Sequence, residues 1–284
     1  MTRLLVTGAS GYLGRRILRW AAPSWALLAA SHRHPERCEA GEAVALDLTG
    51  PGEAERRILE LAPSAIIHTA AVNPGGPDEL MEAVNVSGTA AVARAAARLG
   101  CRLVHVSSDV VHDGRGAPYA DDAPPHPLWL YGRTKARGEA AVRDLCPQAV
   151  MVRTSLIYSL DEMDRVTAGF ARRWRQGKPL QLFTDQLRQP IWAETLAKGL
   201  LELVELPFAG FLNVAGEEVY SRDEIALRLL KFWGVKEGEV RRVRSADLGI
   251  DRPRDLRLDL RLAREVLATP LPGLVEVLAK SVEI

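Results

Sequence analysis

Three side chains in this sequence have the types and the order that a proton-transfer site needs. Tyr131 and Lys135 are four residues apart in LYGRTKARGE, and residues at that spacing share one face of an α-helix. An ammonium group beside a phenol favours the phenolate, so we expect Lys135 to lower the pKa of Tyr131. Ser108 in HVSSDVVHDG precedes both, and its hydroxyl can bind a carbonyl oxygen. Such a set can protonate an alkoxide as it forms.

A glycine-rich segment near the amino terminus, VTGASGYLGRR, has the pattern of a phosphate-binding turn. It follows the apolar segment RLLVT, which predicts a buried strand, and it leads into a helical pattern. We expect Gly8 to turn the chain and Gly11 to leave space for a pyrophosphate. We expect Gly14 to let the helix pack close to the sheet. The free N–H groups at the start of the helix would then face the anion.

The elements that must position these residues alternate along the chain. Apolar runs predict six strands, at 3–7, 25–31, 43–48, 65–68, 102–107 and 149–154. Helical patterns lie between them, from residue 12 and at 53–61, 78–99 and 131–145, and later ones lie near 163–175, 194–205 and 221–233. This alternation predicts an α/β fold, a doubly wound parallel (Rossmann) sheet. We assign residues 1–155 to this dinucleotide-binding domain and 156–284 mainly to a smaller substrate-binding lobe folded onto it.

Composition limits the classes of protein to consider. The 284 residues are 47% hydrophobic with a net charge of +1, which favours a soluble globular protein over a nucleic-acid binder. The three cysteines, Cys38, Cys101 and Cys146, have no metal-ligand spacing and leave an odd thiol, so we expect no metal and a reducing cytoplasm. No apolar run approaches the length of a membrane span, and we expect no membrane partner.

The turn pattern GxxGxxG, followed by Ser108, Tyr131 and Lys135, resembles the extended short-chain dehydrogenase/reductase superfamily. The segments SSDVVHDG, PYADDAPPHPLWLYGRTKARGE, RTSLIY, TDQLRQPIWAETLA, GFLNVAGEEVYSRDEIA and DRPRDLRLD are similar to those of the dTDP-4-dehydrorhamnose reductase family. The resemblance covers almost the whole chain. It implies reduction of a 4-keto group on a nucleotide-linked deoxyhexose, with Ser108, Tyr131 and Lys135 as the catalytic residues.

The cofactor that this resemblance implies is a nicotinamide dinucleotide. His32 and Arg33 stand where an acidic residue would bind the ribose hydroxyls, which favours NADPH, although NADH remains open. The predicted cofactor-binding residues are Gly8, Ser10, Gly11, Tyr12, Leu13, Ser31, His32, Arg33, Asp47, Leu48, Thr69, Ala70, Ala71, Val72, Tyr131 and Lys135.

The substrate side departs from the family pattern. The predicted substrate-binding residues are Ser108, Asp109, Val110, Leu156 and Gln186. Aromatic residues of the family are replaced at Val110, His112 and Leu156, and Arg188 and Ile191 replace a glycine and a threonine. Because we expect these changes to lie near the sugar, the implied cofactor and reaction type carry over better than the implied substrate.

Other polar residues are interpreted as structural. His68 and His105 lie inside predicted strands and are expected to be hydrogen-bonded core histidines. Asn85 is expected to stabilise the sheet through backbone hydrogen bonds.

Two other functions remain open at the level of the sequence. One is a nucleotide-sugar epimerase or dehydratase on the same fold, and the other is a non-catalytic regulatory subunit that binds a dinucleotide. The set Ser108, Tyr131 and Lys135 favours an enzyme, whereas Val110 and Leu156 leave the regulatory function open. A homodimer is also compatible with the sequence.

Overall fold

A computed structural model describes residues 2–22 and 24–280 of the chain. The last residues of the predicted second lobe, 281–284, lie outside the described residues, as do residues 1 and 23 of the first. The strands are β1 Arg3–Thr7, β2 Ala26–Ser31, β3 Glu42–Ala45, β4 Ala65–His68, β5 Arg102–Val106, β6 Val150–Thr154, β7 Ile157–Tyr158, β8 Leu180–Phe183, β9 Leu187–Arg188, β10 Ile191–Trp192, β11 Gly210–Val214, β12 Tyr220–Ser221 and β13 Val240–Val243. The α-helices are α1 Tyr12–Ala21, α2 Pro51–Leu61, α3 Asp78–Glu82, α4 Thr89–Leu99, α5 Leu130–Leu145, α6 Arg165–Arg175, α7 Ala193–Glu205, α8 Arg222–Phe232, α9 Arg261–Val266 and α10 Leu274–Lys280.

The central sheet has seven parallel strands in the order β11-β6-β5-β4-β1-β2-β3. The predicted doubly wound Rossmann fold is therefore confirmed. The chain leaves β1 toward β2 on one side and returns to β4 on the other, so the winding direction reverses at β1. Ligands of such sheets bind at the carboxyl ends of the strands beside this reversal.

The strand at one edge of the sheet, β11, is absent from the sequence prediction. It pairs in parallel with β6, Gly210 opposite Val150, and its buried polar residue Asn213 interrupts the apolar pattern that marks the other strands. Asn213 donates from its side-chain amide to the carbonyl oxygen of Tyr119 at 2.9 Å. The strand is only five residues long, and its buried amide is hydrogen-bonded to a distant loop. Its own residues therefore give little indication of a strand.

A smaller core lies outside the central sheet. α6 and α8 pack on the β8–β13 pair around this core, which contains Trp174, Leu182 and Leu230.

Within the described ranges, no helix is both long and apolar enough to cross a bilayer.

The predicted single helix at 78–99 is interrupted. α3 and α4 are joined by a wider, π-helical segment, Ala83–Gly88. Such segments bend a helix and re-aim side chains. Here the segment carries Asn85, whose amide accepts from Val72 N at 2.8 Å and donates to Val72 O at 3.0 Å and to the Thr134 hydroxyl at 3.1 Å. Asn85 therefore fixes the backbone after β4 by hydrogen bonds, as expected.

Candidate active site

The carboxyl edge of the sheet opens into a cavity of about 730 Å³, within the range of ligand sites in proteins. Every residue predicted to bind cofactor or substrate lines this one cavity. They are Gly8, Ser10, Gly11, Tyr12, Leu13, Ser31, His32, Arg33, Asp47, Leu48, Thr69, Ala70, Ala71, Val72, Ser108, Asp109, Val110, Tyr131, Lys135, Leu156 and Gln186.

The turn between β1 and α1 forms one wall of the cavity. Gly8 has a φ of +69°, and a Cβ there would lie 2.8 Å from the Cα of Ala70, so glycine is needed for both conformation and space. A Cβ on Gly14 would overlap the carbonyl oxygen of Gly8 and lie 2.8 Å from the Cα of Ala9, so glycine at this position lets α1 pack directly against the turn at the end of β1. No side chain in the described part of the chain caps α1. Its first N–H groups, which have no intrahelical acceptor, therefore fit the pyrophosphate of a dinucleotide.

The far end of the cavity combines basic side chains with one carboxylate. His32 and Arg33 follow β2, and the Nε2 atom of His32 lies 3.6 Å from the Oδ2 atom of Asp47, which follows β3. The backbone N–H of Thr49 lowers the pKa of Asp47, and its hydroxyl and the charges of His32 and Arg33 act in the same direction. This end of the cavity therefore carries the carboxylate of Asp47 as well as the basic side chains of the HRHPER segment.

The proton-transfer residues meet at the end of β5. Ser108 follows that strand, and α5 presents Tyr131 and Lys135 to the same cavity. The Nζ atom of Lys135 donates to the carbonyl oxygen of Val106 at 2.7 Å. Burial lowers the pKa of Lys135 to about 8, and burial followed by the charge of Asp109 raises the pKa of Tyr131 to about 12. The expected lowering of the Tyr131 pKa is therefore wrong here, because burial and a carboxylate dominate.

Asp109 organises the polar groups around Ser108. The Ser108 hydroxyl donates to Asp109 Oδ1 at 3.1 Å, and the Ser155 hydroxyl donates to Oδ2 at 2.8 Å. The Nε atom of Arg188 lies 3.9 Å from Oδ2. Burial raises the pKa of Asp109, and Arg188 opposes that rise. The carboxylate thus fixes the serine hydroxyl and one arginine at the same corner of the cavity.

A buried ion pair supports this corner from below. Glu139 on α5 and Arg153 on β6 are both fully buried, and two hydrogen bonds join them at 2.9 and 3.1 Å. Glu139 also accepts from the Ser107 hydroxyl at 2.6 Å. Because breaking such a pair leaves an uncompensated buried charge, it fixes α5 against the ends of β5 and β6.

Two of the expected substrate-side departures lie away from the cavity. Val110, Leu156 and Arg188 line it, but His112 and Ile191 do not. The ring of His112 stacks on Tyr119 with centroids 3.9 Å apart, and Ile191 is buried in the main core. The expectation that all these changes lie near the sugar is wrong for these two, because their side chains pack inward.

Several residues of the cavity were missed by the sequence analysis. Trp129, Thr154, Arg165, Arg222 and Arg252 all line it. The Nε1 atom of Trp129 and the hydroxyl of Thr154 are buried and have no hydrogen-bond partner among the described residues. All but Arg165 lie in segments that were matched to family motifs, but no local pattern shows which residues of those segments line the cavity.

The two histidines inside the central sheet, His68 and His105, differ in their hydrogen bonds. His68 contacts the hydroxyls of Thr7 at 2.6 Å and Thr89 at 3.0 Å, as expected for a hydrogen-bonded core histidine. His105 stacks on His68 with centroids 5.2 Å apart, but neither of its ring nitrogens has a partner among the described residues. The expectation is therefore wrong for His105, which lies in the sheet between His68 and Met151. Burial lowers the pKa of His105 well below its ordinary value.

Comparison with known proteins identifies the family. The RmlD substrate binding domain family matches residues 1–283. The chain belongs to this family.

Relatives within the RmlD substrate binding domain family carry two kinds of name. The chain is 32% identical to a dTDP-4-dehydrorhamnose reductase of Mycobacterium tuberculosis over 267 residues, 89% of this chain and 82% of that protein. It is 31% identical to methionine adenosyltransferase 2 subunit beta of Xenopus laevis over 274 residues, 90% of this chain and 80% of that protein. A dTDP-4-dehydrorhamnose reductase of Bacillus anthracis, solved in complex with NADP, superposes with a TM-score of 0.84 at 23% identity and covers 100% of both chains.

Proposed function

We propose that this protein is an NADPH-dependent reductase of a 4-keto group on a nucleotide-linked deoxyhexose. One observation carries the proposal: Ser108, Tyr131 and Lys135 line the same cavity as the glycine turn. Carbonyl reduction by a dinucleotide has two requirements. One is a site for the dinucleotide, which the glycine turn would provide, and the other is a proton donor in the same cavity. The name of the Mycobacterium tuberculosis relative supports this reaction.

The residues present fit NADPH. The N–H groups at the start of α1 would hold the pyrophosphate, and His32 and Arg33 would face the 2′-phosphate, which NADH lacks. Lys135 would hold the nicotinamide ribose, as the resemblance implies. When bound, NADPH supplies the hydride that reduces the carbonyl carbon.

The side chains would complete the reaction by moving one proton. Tyr131, with its pKa raised to about 12, stays protonated at neutral pH and donates its phenolic proton to the carbonyl oxygen. The Ser108 hydroxyl, which donates to Asp109, would turn by rotation about its C–O bond to donate to the same oxygen. Lys135, anchored to the Val106 carbonyl, would add positive charge that stabilises the phenolate left on Tyr131.

The test uses purified protein, a panel of 4-keto nucleotide sugars, and NADPH or NADH. We expect oxidation of NADPH, faster than that of NADH, with at least one sugar. Tyr131→Phe keeps the ring but removes the acid, and should lower kcat on the order of 10²–10⁴ while NADPH still binds. Tyr220→Phe is the matched control, because the Tyr220 hydroxyl donates to Glu218 at 2.9 Å, outside the cavity. Its kcat should be unchanged.

Other outcomes would assign another function. Tyr131→Phe turning over at the wild-type rate would refute the mechanism. Wild-type protein that binds NADPH but reduces no sugar would favour a regulatory subunit. The Xenopus laevis relative is named as a subunit of an enzyme. NAD retained through purification would favour an epimerase.

A further inference from the structure

One face of α5 carries three chemically different groups in a row. Tyr131, Lys135 and Glu139 follow one another at intervals of four residues, so they lie on the same side of the helix. Tyr131 and Lys135 line the cavity, whereas Glu139 is 1% exposed and is not among the described residues that line it. Glu139 therefore lies behind the lining of the cavity, one helical turn after the lysine.

This face of α5 holds two consecutive residues at the end of β5. The Nζ atom of Lys135 donates to the carbonyl oxygen of Val106 at 2.7 Å. The hydroxyl of Ser107 donates to the Oε1 atom of Glu139 at 2.6 Å. The next residue is Ser108. The segment that leads to this serine is thus attached at two adjacent points to the helix that carries Tyr131.

Arg153 on β6 fixes the carboxylate of Glu139. Its Nε atom donates to Oε1 at 3.1 Å, and its Nη2 atom donates to Oε2 at 2.9 Å. Its Nη1 atom donates to the carbonyl oxygens of Asp121 at 3.1 Å and Ala123 at 2.8 Å. Because every nitrogen of this buried guanidinium has a partner, movement of the carboxylate would leave a buried cation partly unpaired.

The charge of Glu139 also acts on Lys135. Burial lowers the pKa of Lys135 to about 8, and Glu139 opposes that change. Two histidines on the neighbouring strands are neutral, because burial lowers the pKa of His68 on β4 to about 3 and that of His105 on β5 well below its ordinary value. Tyr131 stays protonated, with its pKa raised to about 12. Among the described residues, Glu139 is therefore the anion that favours the charged form of Lys135.

Stability gives no reason for an ion pair at this position. Buried ion pairs contribute little compared with well-packed apolar residues of the same volume. Here the pair joins the ends of β5 and β6 to the helix of the proposed proton donor. Its position thus points to a role in the geometry of the site.

We propose that Glu139 is a positioning residue for the reduction: it holds Ser107, and with it Ser108, against α5 and supplies the negative charge beside Lys135. The inference rests on the proposed function for the identity of the reaction. A carbonyl oxygen must reach the hydroxyls of Ser108 and Tyr131 at the same time, and a displacement of about 1 Å can cost on the order of 10²-fold in rate.

A double-mutant cycle tests the positioning, with the keto sugar that the wild type reduces. Ser107→Ala removes the hydroxyl that binds Glu139 but leaves the Glu139–Arg153 pair intact, so we expect it to fold. Its kcat should fall by about 10- to 100-fold with unchanged affinity for NADPH, because the glycine turn is not altered. Glu139→Met/Arg153→Met replaces the pair by apolar side chains and removes the acceptor of Ser107. Its kcat should fall similarly, and adding Ser107→Ala to it should cause no further loss.

Two results of this cycle would overturn the proposal. One is an unchanged kcat in Ser107→Ala. The other is a pair of losses that multiply, which would show that Ser107, itself part of the cavity lining, acts on the substrate independently of Glu139.

The pH dependence of unfolding tests the charge without any turnover. In the wild type the folded chain loses the Lys135 proton near pH 8 and the unfolded chain loses it near pH 10.5, so stability should rise with pH between these values. Glu139→Gln keeps the shape of the side chain but removes the anion, and the rise should begin about 1 pH unit lower. If the unpaired Arg153 unfolds this variant, Glu139→Met/Arg153→Met takes its place in the measurement. An onset that stays near pH 8 would mean that Glu139 only supports the fold, and would overturn the inference.

Glu55→Gln is the matched control. Glu55 on α2 accepts from two arginines of α4, Arg94 at 2.8 Å and Arg98 at 3.0 Å, so its loss also leaves arginines without their carboxylate. It is not among the described residues that line the cavity. Its kcat and the pH at which its stability begins to rise should equal those of the wild type. Changes as large as those in the Glu139 variants would show that the loss of any such carboxylate has these effects, and would contradict the assignment.

The inference and the proposed function can fail separately. A wild-type protein that reduces no keto sugar, but whose stability onset moves in Glu139→Gln, overturns the reductase and not the action of Glu139 on Lys135. An active reductase whose kcat is unchanged in Ser107→Ala overturns only the positioning role.

Discussion

Lys135 shows at the residue scale how burial sets the charge of a side chain. It is 3% exposed, and its ammonium group donates a hydrogen bond to the Val106 carbonyl. Burial lowers its pKa from 10.5 to about 8, with Glu139 opposing that change. The charge that the proposed reaction needs is therefore maintained against a desolvation penalty.

This penalty predicts a pH-dependent stability. Between about pH 8 and pH 10.5 the unfolded chain holds a proton on Lys135 that the folded chain has lost, so wild-type stability should rise with pH over that interval. Relative to Lys135→Met, which has no such proton, the wild type should gain about 1–3 kcal/mol between pH 7 and pH 10. Denaturant unfolding at several pH values measures the difference. Lys236→Met, at an exposed lysine, is the control. If the wild type gains as much stability between pH 7 and pH 10 relative to Lys236→Met as it does relative to Lys135→Met, the gain cannot be assigned to Lys135.

At the element scale, the β1–α1 connection decides whether a dinucleotide can approach the sheet. Gly8 touches the segment after β4, and Gly14 touches the carbonyl of Gly8, so the turn is packed from both sides. Asn85 fixes the segment after β4 from the π-helical turn. The shape of the pyrophosphate site is thus set by three elements and not by the turn alone.

A comparison of two helical glycines tests this packing. Gly14→Ala places a Cβ against the Gly8 carbonyl and 2.8 Å from Ala9 Cα, which should cost about 1–3 kcal/mol of stability and weaken NADPH binding as the turn shifts. Gly52→Ala in α2 meets nothing within 4 Å and should instead stabilise by about 0.5–1 kcal/mol, with unchanged binding. Thermal unfolding and NADPH titration measure both. Unchanged binding in Gly14→Ala would show that the turn tolerates displacement.

At the scale of the whole molecule, the main core joins parts of the chain on both sides of residue 155. α7 packs its buried residues, among them Leu196, Leu200 and Leu203, against Ile17 and Leu18 of α1. β11 extends the sheet beyond β6. We propose that the predicted boundary at residue 155 does not separate independently folding units.

Leu200→Ala tests this coupling. Leu200 is 1% exposed, and its truncation should lower the free energy of unfolding by about 2–5 kcal/mol. We expect one cooperative transition, displaced as a whole, when circular dichroism and tryptophan fluorescence are followed together. Val275→Ala, at a side chain that is 44% exposed, should change stability by less than about 0.5 kcal/mol. Two transitions of which only one moves would show that the two parts fold separately.

The sequence predicted the local features of the site better than its electrostatics. The glycine turn, Ser108, Tyr131 and Lys135 follow from short patterns, and the structure brings them to one cavity. The pKa of Tyr131 could not be predicted, because it depends on burial and on Asp109, neither of which the spacing of Tyr131 and Lys135 reveals. The same limit hid the inward packing of His112 and the absence, among the described residues, of hydrogen-bond partners for the ring nitrogens of His105.

What the sequence determined by itself was the alternation of strands and helices and the positions of the motifs along it. Apolar periodicity and glycine placement are local, so they appear without knowledge of any contact. Tertiary structure alone decided that β11 completes the sheet and that Arg222 and Arg252 line the cavity. Both depend on pairings between distant segments, β11 with β6 and β12 with β9, and a strand's partner cannot be read from its own residues. The charge state of the side chains was also decided by the tertiary structure, since desolvation is a property of the surroundings and not of the residue.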